Sequence, residues 1–314
     1  MAIVVVGSVA FDTIETPFGK REQALGGSAN YFAISASCLA PVKLCAVVGE
    51  DYPRAHVEWL TKRGIDTSGL VTAAGKTFHW SGKYGLDLNE AQTLDTQLNV
   101  FAMFNPVLPE SYTHGDTVFL ANIDPELQRR VLEQVRDPKL VGMDSMNLWI
   151  NTKRAALERT MRCVDVVFMN ETEARLFSGE HNIVKAARAI QSIDGRSGTL
   201  TVVVKRGEYG ALCFRDEHVS FVPAFPLEDV FDPTGAGDTF AGGFMGWLDR
   251  HLARGEAAND TLWRRALVMG TVMASFVVEE FSFDRLKRVD THEIGARWQR
   301  LHRLTAFDGA VDLV

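Results

Sequence analysis

The sequence predicts an α/β protein: a three-layer α/β/α sandwich with a mostly parallel central sheet and a small separate β-sheet. Short runs of β-branched and apolar residues alternate with helical stretches through most of the 314 residues. This pattern is typical of a parallel sheet with helices on both faces. One region instead alternates polar and apolar residues, as half-buried strands do. Of the 26 glycines, two clusters stand out, at Gly26-Gly27 and between Gly235 and Gly246.

Each element has its own signal. Apolar, β-branched runs predict buried strands at Ile3–Val6, Leu44–Val48, Val118–Leu120, Leu140–Met143, Val164–Met169 and Leu200–Val204. Helical spacing of apolar residues predicts helices at Pro53–Arg63, Pro125–Arg136, Thr152–Met161 and Asn182–Ile193, with a final surface helix at Thr291–Leu304. In such sheets ligands bind beyond the carboxyl ends of the strands. Polar residues that directly follow a strand are therefore the first candidates for a site.

The small sheet is expected from two segments rich in threonine, aromatic and turn residues. Phe11–Lys20 and Thr77–Val100 share this character, and a turn is expected near Asp87-Leu88-Asn89. Together they suggest a lid formed by about residues 11–20 and 77–104; a surface hairpin without function is the alternative. Most aromatic side chains there are expected to pack locally, and one or two to stack on a substrate ring: Phe78, Trp80, Phe101 and Phe104.

Composition excludes several classes of protein. Hydrophobic residues make up 46% and charged residues 23% of the chain, which suits one folded domain spanning 1–314. A net charge of −7 gives no reason to expect nucleic acid or an anionic membrane as a partner. No apolar run approaches the roughly 20 residues of a membrane span. Four cysteines without a C-x-x-C pair, and an apolar start without a basic lead-in, lead us to expect a cytoplasmic protein with reduced thiols.

The carboxyl-terminal glycine cluster lies where a loop meets a helix. After Gly235-Ala236-Gly237-Asp238, apolar residues recur at spacings of three and four. Backbone N–H groups at a helix start lack partners and attract anions. An aspartate there is commonly a cap. Beside an anion nest, however, its charge would repel a phosphate unless it had a task such as accepting a proton from an attacking hydroxyl.

This segment resembles a known family signature. Asp232-Pro-Thr-Gly-Ala-Gly-Asp238, followed by Thr-Phe-Ala-Gly-Gly, is similar to the carboxyl-terminal motif of the ribokinase (PfkB) family of carbohydrate and nucleoside kinases. The resemblance implies a ribokinase-like fold and an ATP-dependent kinase that uses Mg²⁺. It implies that Asp238 is the catalytic base and that the amides of Gly235, Ala236 and Gly237 form the anion hole. It also implies that Thr234 lies beside the nucleotide and leaves K⁺ dependence open, with Asp232 as a monovalent-cation candidate.

Two further segments fit the nucleotide side of that family. Asn170 and Glu173 follow a predicted strand and form a capping-box pattern, which alone explains their spacing. The resemblance adds that Asn170 serves the phosphates and Glu173 serves Mg²⁺ through water. Lys205 and Gly207 end another predicted strand and resemble nucleotide contacts.

The amino-terminal glycines resemble the family's substrate-binding signature. There, Gly26, Gly27, Ser28 and an asparagine are implied to bind substrate, with Ser28 a candidate helix cap. Many members have the asparagine one residue later than Asn30, at the position that Tyr31 occupies here. A shift of one residue turns a helical side chain by about 100°, so the residue that reads the substrate is left open between the two.

Three carboxylate and amide side chains after strands complete the candidates. Asp12 resembles the family aspartate that binds substrate hydroxyls, and a carboxylate can accept from two neighbouring hydroxyls. Asp144 and Asn147 also follow a predicted strand and resemble segments near substrate or phosphate.

These observations together predict a kinase that phosphorylates the hydroxymethyl group of a small sugar, with ATP as donor. A nucleoside kinase acting on adenosine or a relative is the alternative, favoured by the lid aromatics and Tyr31. A non-catalytic metabolite sensor on the same fold is the alternative from another class. An exposed lid sheet could also pair with a second copy to form a homodimer.

Overall fold

The computed structural model describes residues 2–114 and 117–306, and the remainder of the expected 1–314 domain lies outside them. The strands are β1 (Ile3–Val6), β2 (Ala10–Thr16), β3 (Gly19–Gly26), β4 (Val42–Gly49), β5 (Ile65–Ala73), β6 (Phe78–Tyr84), β7 (Ala91–Gln97), β8 (Thr117–Leu120), β9 (Leu140–Asp144), β10 (Val166–Asn170), β11 (Asp194–Gly195), β12 (Gly198–Thr199), β13 (Thr201–Lys205), β14 (Ala211–Arg215) and β15 (His218–Val222). The helices are α1 (Ser28–Ala36), α2 (Arg54–Lys62), α3 (Pro125–Leu132), α4 (Asn147–Thr152), α5 (Arg154–Met161), α6 (Glu171–Ser178), α7 (Ile183–Gln191), α8 (Ala236–Leu252), α9 (Asp260–Val277) and α10 (Thr291–Thr305).

A nine-stranded sheet forms the middle layer, in the order β15-β14-β13-β10-β9-β8-β1-β4-β5. Neighbouring strands pair in parallel from β13 through β5, and the β13–β14 and β14–β15 pairs at one edge are antiparallel, so β14 alone in this sheet runs against the others. All four residues of β1 are fully buried, as a central parallel strand requires. The predicted parallel sheet is confirmed, with each predicted strand in place to within two residues at either end.

Two hydrophobic cores cover the two faces of this sheet. One contains the buried faces of α1, α8 and α9, which pack on each other and on the sheet. The other contains the buried residues of α3, α5, α6 and α7. The three-layer α/β/α architecture is thereby confirmed.

A separate four-stranded sheet has the order β3-β2-β6-β7. The two hairpins β2–β3 and β6–β7 are antiparallel, while β2 and β6 pair in parallel. Its inner face carries a small apolar cluster of Ile14, Ala24 and Tyr84, against which Trp80, Leu88 and Phe281 pack. We call this sheet the lid sheet.

The structure departs from the predicted lid at both of its boundaries. The β2–β3 hairpin extends to Gly26 rather than stopping at residue 20, although the sequence of β3 is mostly polar and exposed. Asn99–Met103 is a 3₁₀ helix, not a strand. Phe101 and Phe104 pack against the main core, and Phe78 stacks on Phe101 at 5.2 Å between ring centroids. These three aromatic rings therefore serve local packing.

Candidate active site

The site forms where the carboxyl ends of β9, β10 and β13 meet the start of α8. Asp144, Asn170 and Lys205 are the last residues of the three strands, which are neighbours in the sheet. Parallel pairing places these strand ends at one edge, as ligand sites of such sheets require. The lid sheet contributes Asp12 from β2, and Asp12 is close enough to Asp238 for the two charges to affect each other.

The start of α8 has the geometry of an anion nest. Gly235 precedes the helix with φ 75°, a left-handed conformation that glycine adopts without steric cost. The N–H of Ala236 donates to the carbonyl of Pro233 at 3.1 Å, which closes the turn. Among the described residues, the N–H groups of Gly235 and Gly237 have no backbone hydrogen-bond partner. The Ala236 amide is thus engaged by the turn, and its part in the anion hole stays a prediction.

Tyr31 lies beneath this nest. A Cβ added to Gly235 would lie 2.4–2.5 Å from three carbons of the Tyr31 ring. The ring is 1% exposed and contacts Phe283 edge-on at 5.3 Å between centroids. Tyr31 thus supports the backbone of the nest, and burial removes it from the surface that a substrate could contact.

Asp238 lies in the first turn of α8 and is half-buried. Burial raises the pKa of its carboxyl, and the charge of Asp144 raises it further, while the Lys205 ammonium lowers it. A carboxylate whose pKa is raised toward neutrality is a better proton acceptor than an ordinary surface aspartate. Its position beside two unpartnered amides suits a general base next to an oxyanion.

Lys205 connects the strand ends to the nest. Its Nζ donates to Asp144 Oδ2 at 2.5 Å, and both side chains are largely buried. A Cβ added to Gly237 would lie 2.9 Å from that Nζ, so the ammonium rests against the backbone of the nest. Burial lowers the pKa of Lys205, but the charges of Asp144 and Glu173 outweigh it and the net pKa is raised, which keeps the ammonium protonated.

Asn170 and Glu173 form the predicted capping box. The Asn170 Oδ1 accepts from the Glu173 N–H at 2.7 Å, and Glu173 Oε2 accepts from the Asn170 N–H at 2.8 Å. Burial raises the pKa of Glu173; the Lys205 ammonium opposes this shift and the charge of Asp144 adds to it. No cluster of three or more histidine, cysteine, aspartate or glutamate side chains within residues 2–114 and 117–306 is arranged to hold a metal ion. One carboxylate with a fixed orientation fits a hard cation held mainly by other oxygens.

Asp12 is 4% exposed and lies against Gly26, where an added Cβ would fall 1.8 Å from its Oδ2. Burial and the neighbouring charges of Asp232 and Asp238 raise the pKa of Asp12 to about 8, against a backbone hydrogen bond from Gly27. A buried carboxylate of this kind gains from any ligand that supplies hydroxyl donors.

The paired glycines lie where the protein packs closely against their backbone, and their contact with substrate stays a prediction. A side chain on Gly26 would collide with Asp12, and one on Gly27, with φ 95°, would lie 2.5 Å from the carbonyl oxygen of Ser8. The space is thus filled by the protein itself. The prediction that Ser28 caps α1 is wrong, because Gly27 is the capping residue and Ser28 Oγ instead lies 3.1 Å from the Ser8 hydroxyl.

Asn30 is fully buried behind Gly26. Its Nδ2 donates to the Gly26 carbonyl at 3.3 Å and to the Tyr52 hydroxyl at 3.2 Å. His56 lies 3.4 Å from the same amide, and burial lowers the pKa of this imidazole to about 3. Asn30 therefore braces the loop that carries the glycines.

Asp232 and Thr234 occupy the loop before α8. Asp232 is fully buried and accepts from the N–H groups of Thr234 at 2.9 Å and Ser282 at 2.8 Å. The Thr234 hydroxyl donates to the hydroxyl of Tyr84 at 3.2 Å, which ties this loop to the lid sheet. Asn147, in contrast, is exposed at the start of α4.

The turn of the β6–β7 hairpin reaches the opposite side of the cleft. We call residues 87–90 the lid tip. A Cβ added to Gly207, which has φ 54°, would fall 1.6 Å from Asn89 Oδ1. The Glu90 carboxylate accepts a hydrogen bond from the Thr172 hydroxyl, between Asn170 and Glu173 in sequence. Sequence reasoning missed Tyr84, Asn89 and Glu90 as site residues, because only tertiary contacts give them a position there.

A carboxylate beside two unpartnered amides at a helix start, close to a second carboxylate on the lid sheet, is an arrangement suited to a phosphotransferase with an alcohol acceptor. The family model described as pfkB family carbohydrate kinase matches residues 2–285, and the chain belongs to this family. No helix among the described residues is long and apolar enough to cross a membrane.

Relatives and solved structures agree with this assignment. The cytidine kinase of Thermococcus kodakarensis is 32% identical over 259 residues, covering 79% of this chain and 88% of its own. The nucleoside kinase of Methanothermobacter thermautotrophicus is 26% identical over 306 residues, covering 88% and 89%. The structure of Methanocaldococcus jannaschii nucleoside kinase has a TM-score of 0.73 at 20% identity over 95% of this chain and 98% of its own. A putative ribokinase II of Escherichia coli, solved with ATP and Mg²⁺, has a TM-score of 0.76 at 17% identity, covering 95% and 99%. These structures share the fold.

Proposed function

We propose that the protein transfers the γ-phosphoryl group of ATP to the hydroxymethyl group of a nucleoside, with Asp238 as base. The observation that carries this proposal is the placement of Asp12 and Asp238. Asp12 is buried on the lid sheet and Asp238 is half-buried at the anion nest, close enough for their charges to interact. Asp12 suits the hydroxyls of a ribose ring, and Asp238 suits the proton of the attacking hydroxyl.

The nucleoside is favoured over a small free sugar by one side chain. Trp80 pairs with Asp12 across β2 and β6 and belongs to the inner face of the lid sheet. Its ring lies over Gly82, and its Nε1 donates to Thr93 Oγ1 at 3.2 Å. An indole on the face of the lid sheet that carries Asp12 supports recognition of a flat ring attached to the sugar. The similarity to cytidine and nucleoside kinases supports the same choice.

The charged and polar groups around the anion nest indicate how ATP, the phosphoryl donor, is bound. The amides of Gly235 and Gly237 and the Lys205 ammonium are donors suited to phosphate oxygens. We propose that Asn170, Thr234 and Gly207 also contact the nucleotide. When bound, Mg²⁺ neutralises charge on the nucleotide phosphates, and Glu173 is the residue suited to hold it through water. The related fold solved with ATP and Mg²⁺ supports this donor.

A panel assay tests the proposal. ADP release is measured with cytidine, adenosine, inosine, ribose and fructose as acceptors, for the wild type and for Asp238→Asn. We expect turnover with at least one nucleoside and a loss of several orders of magnitude in the variant. Asp260→Asn is the matched control, because Asp260 also lies in the first turn of a helix and pairs with Arg215 away from the site.

The outcomes separate the alternatives. Turnover with a free sugar alone favours the sugar kinase. Tight nucleoside binding without ADP release favours the sensor. An Asp238→Asn enzyme with near-normal turnover would overturn the role of the base.

Three finer assignments complete the proposal. We propose that K⁺ binds near Asp232, which predicts a higher rate in KCl than in a tetramethylammonium salt. We propose a homodimer through β7, whose seven residues are all exposed at the edge of the lid sheet; sedimentation of wild type and Leu94→Lys tests it. Four free cysteines suit a reducing compartment, so we place the protein in the cytoplasm, which cell fractionation tests.

A further inference from the structure

The Lys205 ammonium lies against the backbone of the anion nest. Its stem crosses Gly237, with Cε and Cδ at 3.5 and 3.6 Å from the position of an added Cβ and Nζ at 2.9 Å. Any side chain on residue 237 would push the ammonium away. The hydrogen bond described for Nζ is to Asp144, and an ammonium has three N–H donors.

Asp144 holds this lysine from two strands away. β10 separates β9 from β13 in the sheet, so the Asp144 side chain reaches across the end of β10 to meet Nζ. Asp144 itself is fixed: its Oδ1 accepts from the Ser145 N–H at 2.9 Å, and its carbonyl accepts from Gln128 Nε2 at 2.9 Å. With side chains only 16% and 5% exposed, the pair has little freedom to move.

We infer that Lys205 is a third donor of the anion nest, which contacts the phosphoryl group during transfer, and that Asp144 is the positioning residue that aims it. This inference rests on the proposed function and deepens it. In the transfer, a bond forms between the acceptor oxygen and the γ-phosphorus, and the bond from that phosphorus to the β–γ bridging oxygen breaks. The hydroxyl proton goes to Asp238, and ADP leaves with the electron pair. Lys205 keeps its proton throughout and stabilises charge on the phosphoryl oxygens.

The lysine is tested by separating transition-state from ground-state effects. Lys205→Met is expected to lower kcat by about 10²–10³-fold, the usual effect of losing one such donor. The KM for the acceptor and the affinity for ADP, measured by calorimetry, are expected to stay within about threefold of wild type. Affinity for ADP with aluminium fluoride and acceptor is expected to fall in parallel with kcat. If ADP affinity alone falls as far as kcat, Lys205 is an ordinary nucleotide contact and the inference fails.

A double variant separates loss of the donor from misfolding, and a matched lysine variant serves as the control. Removing one partner of a buried pair leaves an uncompensated charge, whereas removing both is often tolerated. The double variant Lys205→Met/Asp144→Asn is therefore expected to fold and to remain as slow as Lys205→Met. Lys153→Met is the matched control, because Lys153 pairs with Asp124 at 2.7 Å outside the nest. Its kcat is expected to be unchanged.

The positioning role of Asp144 has a distinct signature in pH. The charged and titratable groups that face Asp238 are Asp144 on β9, Lys205 on β13, Glu173 on α6, Asp12 on β2 and the Tyr84 hydroxyl on β6. Asp144→Asn removes the charge that raises the pKa of Asp238 and leaves the ammonium that lowers it. The acidic limb of the kcat profile should therefore move to lower pH, with kcat on the plateau reduced by about tenfold or more. If kcat on the plateau falls but the acidic limb does not move, Asp144 has only a structural role. A wild type inactive on every acceptor would refute the proposed function instead.

Discussion

Gly235→Ala tests whether the anion nest depends on the Tyr31 ring beneath it. The substitution has two costs. A left-handed alanine costs about 1–2 kcal/mol. The new Cβ would also lie 2.4–2.5 Å from three ring carbons, about 1 Å inside ordinary contact, and such overpacking costs about 1–3 kcal/mol. Since Tyr31 is fully enclosed, the backbone must yield, and the free energy of unfolding should fall by roughly 2–5 kcal/mol in sum.

The chain offers a control with the same backbone conformation. Gly255 has φ 79° against 75° for Gly235, yet an added Cβ there meets nothing within 4 Å. Urea unfolding followed by tryptophan fluorescence should give a loss of about 1–2 kcal/mol for Gly255→Ala, with kcat unchanged. Gly235→Ala should lose more stability and at least about 10²-fold in kcat, because its nest N–H groups shift. Equal losses of stability in the two variants would refute the contact between nest and ring.

Two further predictions concern the lid sheet. Burial raises the folded-state pKa of Asp12 to about 8 from an ordinary 3.8. Between these values the folded protein binds one proton more than the unfolded chain, so the stability that Asp12 contributes is lost as pH rises from about 4 to 8. Asp12→Asn should flatten this part of the pH dependence of the melting temperature, and an unchanged slope would contradict the shift. Trp80→Leu should raise the KM for a nucleoside by roughly 5–160-fold, since stacking on a base is worth about 1–3 kcal/mol, while the KM for a free sugar should change little. Steady-state kinetics with both acceptors checks this, and equal effects on both would argue against stacking.

The parallel sheet could be predicted because its strands are short, apolar and β-branched, so local pattern and burial agree. β3 could not, since its residues are mostly polar and exposed and it is held by pairing with β2. The 3₁₀ helix Asn99–Met103 falls within the predicted lid because aromatic residues are typical of strands. Its residue Phe101 packs instead against the main core.

The parts of the candidate site that form a local sequence motif could be predicted, and the parts that depend on tertiary contacts could not. The sequence located the helix start at Gly235 to Asp238 and the capping box of Asn170 and Glu173. It did not show that the space at Gly26 is filled by Asp12, or that Lys205 lies on Gly237. Such contacts join residues far apart in the chain, and a single sequence carries no local signal of them.

Through the lid tip, the β6–β7 hairpin contacts elements on both sides of the candidate site. Its strand β6 carries Trp80 beside Asp12, and its turn places Asn89 on Gly207 and Glu90 on Thr172. An acceptor that stabilises this position of the hairpin also organises the elements around the donor. Linkage then requires reciprocity: the factor by which one ligand strengthens binding of the other is the same in both directions. A hairpin that contacts both regions would thus couple the binding of the two ligands.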